Sequence, residues 1–316
     1  ALTPGYGVRA LELSSDTTGT HGGVRIDGIR RIVNEAVLSD KRLAEAAQAN
    51  SSAINDVYAA IEQMIGTPDN PASISAQIAE LEKNLITAAS RPDASERLSA
   101  AVASAKSLAN TFVAAADRLQ SVRTAADGKI DAQVDQLNTA LDEVQKLNTQ
   151  ITKFQSSGNN TSALLDQRQQ IVDEISILVP VRSVARDHGQ IALFSTGGAV
   201  LLDHTAVEIG FSRTNIVTPY QGIEAGNLHG LTMNGVGIRT GSDNGLLAGG
   251  SIAAQFEIRD EIAVSAQAQI DALARDMVER FQDPTVDPTL LGTAAGLFTD
   301  KGHAFMATDE VGLAQR

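Results

Sequence analysis

The feature that most constrains the fold is an apolar stripe that runs from Leu98 to Phe154. Apolar residues recur along it at steps of three and four, which is the spacing of one face of an α-helix. An unbroken helix over 95–155 would be about 90 Å long, at a rise of about 1.5 Å per residue. Because a long helix needs its apolar face buried, the stripe predicts a rod packed against other helices or neighbouring chains. The stripe comprises Leu98, Val102, Ala105, Leu108, Phe112, Ala115, Leu119, Val122, Ile130, Val134, Leu137, Leu141, Val144, Leu147, Ile151 and Phe154.

The rod is irregular near its centre. Val122, Ala126, Ile130 and Val134 follow one another at steps of four, which locally unwinds a left-handed supercoil. Gly128 lies among them, and glycine weakens a helix by about 1 kcal/mol relative to alanine. Two interpretations stay open, which are a tolerated glycine and a point at which the helix bends.

Helical periodicity also covers three other segments, which are residues 30–65, 161–179 and 252–281. Between the first of these and the rod, Asn70 is predicted to cap a further helix, with Pro71 at its first position. Asp93 and Glu96 resemble a capping box at the start of the rod, with Asp in place of Ser or Thr.

Short apolar runs between turn residues predict β-strands in two parts of the chain. Residues 8–13 and 24–29 flank a loop rich in Thr, Gly and Ser, as in a hairpin. After Pro180 the chain carries four more runs separated by turn-forming residues, and they predict a small antiparallel β domain. These runs are 181–184, 191–194, 199–202 and 207–211.

The predicted fold class is mainly α with an inserted β domain, an α+β protein with an elongated stalk of long helices. Residues 1–30 are predicted to form a β-hairpin segment at the stalk base. Residues 31–180 and 250–316 would form the helical bundle, and 181–249 the inserted β domain. Because helices precede and follow the β segment, it would leave and rejoin the bundle at nearby points and form a head on the stalk.

Composition excludes several classes of function. The chain has 38 acidic against 25 basic residues, a net charge of −13 at pH 7, whereas nucleic-acid binders rely on Lys and Arg to neutralise phosphates. It contains no Cys, which excludes disulfides, thiolate catalysis and Cys-based zinc sites. No apolar run approaches the roughly 20 residues that span a bilayer. Aromatic residues make up only 3% of the chain, too few to favour stacking surfaces or ligand cages.

The sequence lacks the motifs of the common enzymes. It contains neither a Gly-Lys-Ser/Thr phosphate loop nor a Gly-x-Ser-x-Gly nucleophile elbow. The histidines are interpreted as surface or loop residues, since a metal site would require the fold to gather them. We therefore expect no enzyme activity, no cofactor and no metal. The histidines are His21, His188, His204, His229 and His303.

Two charged pairs are the candidate site residues. Asp166 and Arg168 lie near the start of the predicted helix 161–179, where a carboxylate suits the helix dipole. Arg259 and Asp260 lie in the first turns of the helix that follows the β segment. Two interpretations stay open: solvated or paired helix charges, or ion pairs that fix helix docking or a subunit contact.

Four blocks of the sequence, in the same order, resemble the flagellar hook-associated protein 1 family. Thr3–Tyr6, before the hairpin, resembles the junction that follows the N-terminal segment of flagellar axial proteins. Two blocks match family motifs at the entry to the long helix and after the β domain, and the remaining one is a Leu-Leu-Asp-Gln-Arg signature. Gln169 replaces an Asp of that signature, and Ala-Ala-Gln at 253–255 replaces Gly-Gly-Leu. The blocks are Thr3–Tyr6, Arg91–Arg97, Leu164–Ser176, and Gly249–Ile252 with Arg259 and Asp260.

The resemblance implies a structural component of the bacterial flagellum, an adaptor that joins hook to filament by polymerising at their junction. Its implied partners are the hook protein, hook-associated protein 3, further copies of itself and an export chaperone that binds a C-terminal segment, with no nucleic acid and no membrane. It implies a location outside the cell, reached through type III export without a cleaved signal peptide. We expect this chain to be a core fragment without either terminal segment, and therefore largely monomeric.

An alternative from another class of protein is a surface adhesin or sugar-binding β head on a helical stalk. That alternative predicts an exposed apolar or aromatic patch on residues 181–250. Aromatic residues are scarce there, which favours the structural adaptor.

Overall fold

The computed structural model describes residues 8–16, 23–67, 69–241, 245–291, 294–306 and 310–316. Thr3–Tyr6 and His21, used above, lie outside these ranges. The chain divides into two compact units that cut across the predicted segments, because each unit contains part of the long helix and part of 181–249. Unit 1 comprises Ala1–Ser52, Ile130–Ser212 and Gly230–Ala254, and unit 2 comprises Ala53–Lys129, Arg213–His229 and Gln255–Arg316.

The hairpin forms as predicted and its strands are longer than expected. Strands β1 (Val8–Asp16) and β2 (Gly23–Ile32) pair antiparallel, with Val8 opposite Ile32. The register shifts between Glu12 and Leu13, which is a β-bulge. Because pairing continues to Asp16, polar residues at the loop end extend the strands beyond the apolar runs.

Helices α1 (Glu35–Ile65) and α2 (Ile74–Ala89) follow the hairpin. The predicted cap at Asn70 is wrong. Ser73 is the N-cap of α2, and its hydroxyl accepts a hydrogen bond from the Ala76 N–H at 3.1 Å. The Asn70 side chain accepts a hydrogen bond from the Ala72 N–H in the preceding turn, so Pro71 lies outside the helix.

The predicted rod is helix α3, which is continuous from Ser95 to Ser156. It begins one residue later than a capping box at Asp93 requires. Its stripe is buried through the middle of the helix, whereas both ends of the stripe are exposed. The exposed positions are Leu98, Val102 and Phe154, at 47%, 45% and 43%. Gly128 lies inside the unbroken helix, and a Cβ there would meet Nη2 of Arg213 at 3.2 Å.

Helix α4 (Ser162–Leu178) ends before Pro180, and two small antiparallel sheets follow. The predicted run 207–211 does not continue the first sheet, since Ile209 and Gly210 pair with strand β8 in the second. His188 and His204 occupy turns with φ of 58° and 61°. In order, the sheets contain β3 (Val181–Ala185), β4 (Ile191–Ser195), β5 (Val200–Asp203) and β6 (Thr205–Ala206), then β7 (Ile209–Gly210), β8 (Thr232–Met233) and β9 (Val236–Gly237).

Amide side chains of α3 complete the hydrogen bonding of the β segments in unit 1. Asn138 accepts from the Ile209 N–H at 2.9 Å and donates to the Ile209 carbonyl at 2.7 Å. Gln145 accepts from the Ala206 N–H at 2.6 Å. Short strands with open edges are thereby satisfied by a helix, which explains how two- to five-residue strands persist in this unit.

The predicted helix over 252–281 is interrupted. Helix α5 (Ser251–Glu257) leads into a π-helical turn, Ile258–Ile262, and helix α6 (Ala263–Gln282) follows. The Ala263 N–H donates to the Ile258 carbonyl, which is the five-residue hydrogen bond of a π turn. The π turn contains one residue more than a turn of α-helix, and Arg259 and Asp260 lie in it.

The core of unit 2 lies between α2, α3 and α6. Leu81 of α2, Leu108 and Leu119 of α3 and Ile270 of α6 are each no more than 2% exposed. Burial of such side chains is worth about 1.5–3 kcal/mol each, so these contacts supply the main stabilisation. No helix within the described ranges combines the length and the apolar character needed to cross a lipid bilayer.

Candidate functional site

The four predicted site residues fall into two separate clusters, one in each unit. Asp166 and Arg168 lie in the second turn of α4 and belong to unit 1. Arg259 and Asp260 lie in the π turn and belong to unit 2. Asp166, Arg168 and Arg259 are buried, at 2%, 8% and 0% exposure, and the Asp260 side chain is 19% exposed. Each cluster also contains residues that the sequence did not single out.

Asp166 fastens the hairpin to α4. The Arg31 Nε, at the end of β2, donates to Asp166 Oδ1 at 2.6 Å. The Arg9 Nη2 of β1 lies 3.5 Å from Asp166 Oδ2. Arg31 Nη2 also donates to Gln169 Oε1, so the residue that departs from the family signature takes part in this contact. One buried carboxylate thus holds both strands of the hairpin.

Arg168 joins α4 to α3 and to the sheet through neutral acceptors. Its Nη1 donates to Asn148 Oδ1 at 2.8 Å and to the Gly189 carbonyl at 2.7 Å. Asn148 in turn donates to the Ile191 carbonyl at 2.8 Å. Burial, and then the charge of Arg31, lowers the pKa of the Arg168 guanidinium to about 10, while Glu35 acts in the opposite direction.

A second carboxylate of α4, Asp173, was missed by the sequence analysis. The Arg42 Nε of α1 donates to Asp173 Oδ1 at 2.6 Å, and Lys41 Nζ lies 3.3 Å from Asp173 Oδ2. Asp173 follows Asp166 by seven residues, two helical turns, and therefore lies on the same face. The seven-residue spacing was the signal in the sequence that Asp166 and Asp173 lie on one face of α4.

Arg259 is the centre of the cluster in unit 2. Its Nη1 donates to Asp127 Oδ1 at 2.5 Å, and its Nε and Nη2 donate to the two oxygens of Asp260 at 2.8 and 2.9 Å. Nη2 also donates to the His229 carbonyl at 3.0 Å, and the guanidinium lies 4.8 Å from the centre of the Phe256 ring. Burial alone would lower the pKa of Arg259, but the hydrogen bonds and charges of Asp260 and Asp127 raise it.

Arg123 and Asp127 of α3 complete this cluster. Arg123 is 1% exposed and donates to three carbonyls, those of Arg259, Thr218 and Gln221, at 2.9, 2.9 and 2.7 Å. Burial lowers its pKa, Asp260 raises it, and Arg259 lowers it further. Asp127 Oδ2 accepts from the Thr214 N–H at 2.6 Å.

Both residues were missed by the sequence analysis. The available signal was an Arg and an Asp four residues apart, which places both on one face of the helix.

The side chains of both clusters hold segments of the chain together through hydrogen bonds. In unit 2 the guanidinium groups bind backbone carbonyls of the irregular segment 213–229 and of the π turn. The carboxylates accept from arginines and from backbone N–H groups. Within the part of the chain that the structure describes, no group of three or more His, Asp or Glu is placed to hold a metal ion.

The family model described as the flagellar hook-associated protein FlgK helical domain matches residues 58–284. The chain is 25% identical over 182 residues to flagellar hook-associated protein 1 of Escherichia coli, covering 57% of this chain and 33% of that protein. It is 24% identical over 230 residues to the protein of the same name from Salmonella typhimurium, covering 69% and 41%.

Among solved structures, the flagellar hook junction protein FlgK from Burkholderia pseudomallei superposes with a TM-score of 0.63 at 22% identity. The match covers 77% of this chain and 43% of that one, and it shows a shared fold. The chain therefore spans about a third to two fifths of the length of the curated relatives. Because the family model covers well over half of the 316 residues, the chain belongs to the flagellar hook-associated protein FlgK helical domain family.

Proposed function

We propose that this chain is the core of a structural adaptor that joins the hook of the bacterial flagellum to its filament by polymerising at the junction. Family membership over 58–284 is the observation that carries the proposal. The relatives are named for the hook and its junction, and the neighbouring fold is that of a hook junction protein. The role is structural rather than catalytic.

The proposed partners are the hook protein, hook-associated protein 3 and further copies of the same chain. An export chaperone would bind the protein before secretion through a C-terminal segment. The proposed location is the flagellum outside the cell, reached through type III export without a cleaved signal peptide. A chain with a net charge of −13 and no cysteine is compatible with such a path.

In this proposal the two clusters act as fixed joints. Asp166 and Arg168 would hold the hairpin and the β-strands on α4 and α3, and Arg259 and Asp260 would hold segment 213–229 on α3. The segments 31–180 and 250–316 would then serve as the stalk, with 1–30 at its base and 181–249 as the inserted head. The adhesin or sugar-binding alternative is not favoured by the family match.

The test uses the full-length gene product that carries this chain, in a strain without its own hook-associated protein 1. We expect hooks that carry filaments in electron micrographs, restored swimming, and little flagellin lost to the medium. As a matched pair, Arg259→Lys is expected to impair assembly, whereas Arg182→Lys on the exposed strand β3 is not. Bare hooks despite normal folding and export would overturn the adaptor, and adhesion to cells or glycans by the isolated chain would support the alternative.

A further inference from the structure

A small pocket in unit 1 collects arginine side chains from three elements. It has a volume of about 50 Å³ and lies beside the end of β2, the first turns of α1, α4 and strands β3 and β4. A water needs about 10–15 Å³ of such space, so the pocket has room for a few waters or one small ion. Its polar lining consists of Arg31, Glu35, Arg42, Arg168, Gln169 and Ser183.

Arg168 brings an incompletely satisfied cation to this pocket. Among the residues that the structure describes, only its Nη1 has hydrogen-bond acceptors, which are the neutral oxygens of Asn148 and Gly189. Among the described residues, no carboxylate lies within 4 Å of its guanidinium. Each of its side-chain nitrogens either has a hydrogen-bond partner or is accessible to water. Arg168 is 92% buried and lines the pocket, so a ligand in the pocket would lie beside its guanidinium group.

Arg31 and Arg42 also line the pocket. Each directs its Nε to a carboxylate, Arg31 to Asp166 and Arg42 to Asp173. Arg42 is 4% exposed, and its two terminal nitrogens have no acceptor within the described ranges. Among the described residues, Arg31 and Arg42 each have a carboxylate partner and Arg168 has none, and the lining contains one further carboxylate, that of the exposed Glu35.

The buried charge of Arg168, which has only neutral acceptors among the described residues, favours an anion. Guanidinium groups bind carboxylates and phosphates through paired N–H donors, and a buried cation without an anionic partner is costly. Burial, and then the charge of Arg31, lowers the pKa of Arg168 to about 10, so both disfavour its charged form. A bound anion would act in the opposite direction.

We propose that this pocket binds a small oxyanion, either a phosphate-like ion or a carboxylate group, between Arg168, Arg42 and Arg31. The site is independent of the proposed adaptor function, since it rests on the side chains that line one pocket. The shared chemistry is a compact group with two or more oxygens that accept hydrogen bonds. A carboxylate could come from a neighbouring protein chain, and a phosphate from solution.

The test measures thermal unfolding and titration calorimetry with inorganic phosphate, and separately with acetate, against chloride at the same ionic strength. A ligand that binds only the folded state raises Tm with its concentration. We expect saturable stabilisation by at least one of the two anions and none by chloride. Stabilisation by phosphate alone assigns the pocket to phosphate groups, and stabilisation by acetate assigns it to carboxylates. No selective effect of either anion overturns the proposal.

Variants locate the effect in the pocket. Arg168→Gln should weaken binding at least about tenfold, because it removes charged hydrogen bonds. Arg182→Gln, on the opposite face of the same strand as Ser183, removes equal charge and should leave binding unchanged. Equal loss in both variants would contradict a specific site.

Two further variants do not depend on Arg168→Gln folding. Glu35→Gln removes the negative charge of the pocket lining and should tighten binding. Ser183→Glu places a carboxylate against the arginines and should abolish the response to added anion while raising Tm. Circular dichroism checks the fold of each, and unchanged affinity in both would overturn the proposal.

Discussion

Two arginines of unit 2, Arg123 and Arg259, are buried, and hydrogen bonds stabilise their charges. Arg123 binds three carbonyls, and Arg259 binds two carboxylates and a carbonyl. The side chains are satisfied in the folded state, so the cost of burying them is offset by hydrogen bonds. Removal of one partner leaves the other buried without its hydrogen bonds.

The first prediction concerns Asp127. Asp127→Ala should lower the free energy of unfolding by about 3–5 kcal/mol, because it removes a buried carboxylate that accepts hydrogen bonds from Arg259 Nη1 and from the Thr214 N–H. Asp135→Ala, on an exposed position of the same helix, should change it by less than about 0.5 kcal/mol. Urea unfolding followed by circular dichroism gives both values, and similar losses for the two variants would refute the assignment.

The second prediction concerns Gly250, in one of the blocks that resemble the family. A Cβ at this position would lie 2.2 Å from the Leu178 carbonyl oxygen, a backbone atom that cannot move aside cheaply. Gly250→Ala should therefore cost about 3 kcal/mol. Gly222→Ala, where a Cβ meets no atom within 4 Å, is the control and should be nearly neutral in the same measurement.

At the scale of the element, α3 shows why a glycine inside a helix need not be a hinge. The third prediction is that Gly128→Ala stabilises the protein by about 1 kcal/mol, because alanine is the better helix former and the exposed Arg213 can move a few tenths of an ångström. Thermal unfolding measures the change. A loss of stability that Arg213→Ala relieves would instead show that the contact outweighs helix propensity.

The start of α2 provides the fourth prediction. Ser73→Ala should cost about 1 kcal/mol, because it removes the acceptor for the Ala76 N–H. Asn70→Ala should cost less, since Asn70 serves only the turn before the helix. Chemical unfolding gives the loss in free energy of unfolding for each variant. A larger loss for Asn70→Ala would indicate that Asn70 is the N-cap, as the sequence predicted.

These elements show which features of the fold could be predicted from sequence patterns. The stripe of α3 was predictable because its period extends over sixteen positions, and no local alternative has that period. Asn70 and Ser73 both carry cap-forming side chains, and choosing between them requires knowing where the backbone turns. The π turn was not predictable, because one extra residue near Arg259 leaves the flanking apolar spacing almost unchanged.

For the whole molecule, the division into two compact units gives the fifth prediction. Local stability differs between regions that open separately, so each variant should loosen its own unit. Hydrogen exchange should rise in 213–229 and the π turn for Asp127→Ala, and in α4 for Gly250→Ala. Faster exchange in both units from either variant would show that the chain opens as one cooperative body.

The candidate residues were predictable as charged pairs, whereas their surroundings were not. Asp166 and Arg259 were visible as charges near helix ends, but Arg31, Asp127 and Arg123 come from distant parts of the chain. Spacing along one helix predicts which residues share a face. It contains no information about which strand or loop supplies the opposite charge, since that depends on how the chain folds back.

The unbroken course of α3 through both units has a consequence for how its length can change in evolution. One residue inserted between Asn138 and Asn148 would turn one of them by about 100° relative to the other, so that the two could no longer both bind Ile209 and Ile191. Insertions of seven or eleven residues nearly restore the angular phase. Related proteins should therefore differ in the length of this helix by seven or eleven residues, and insertions or deletions of a single residue should be rare.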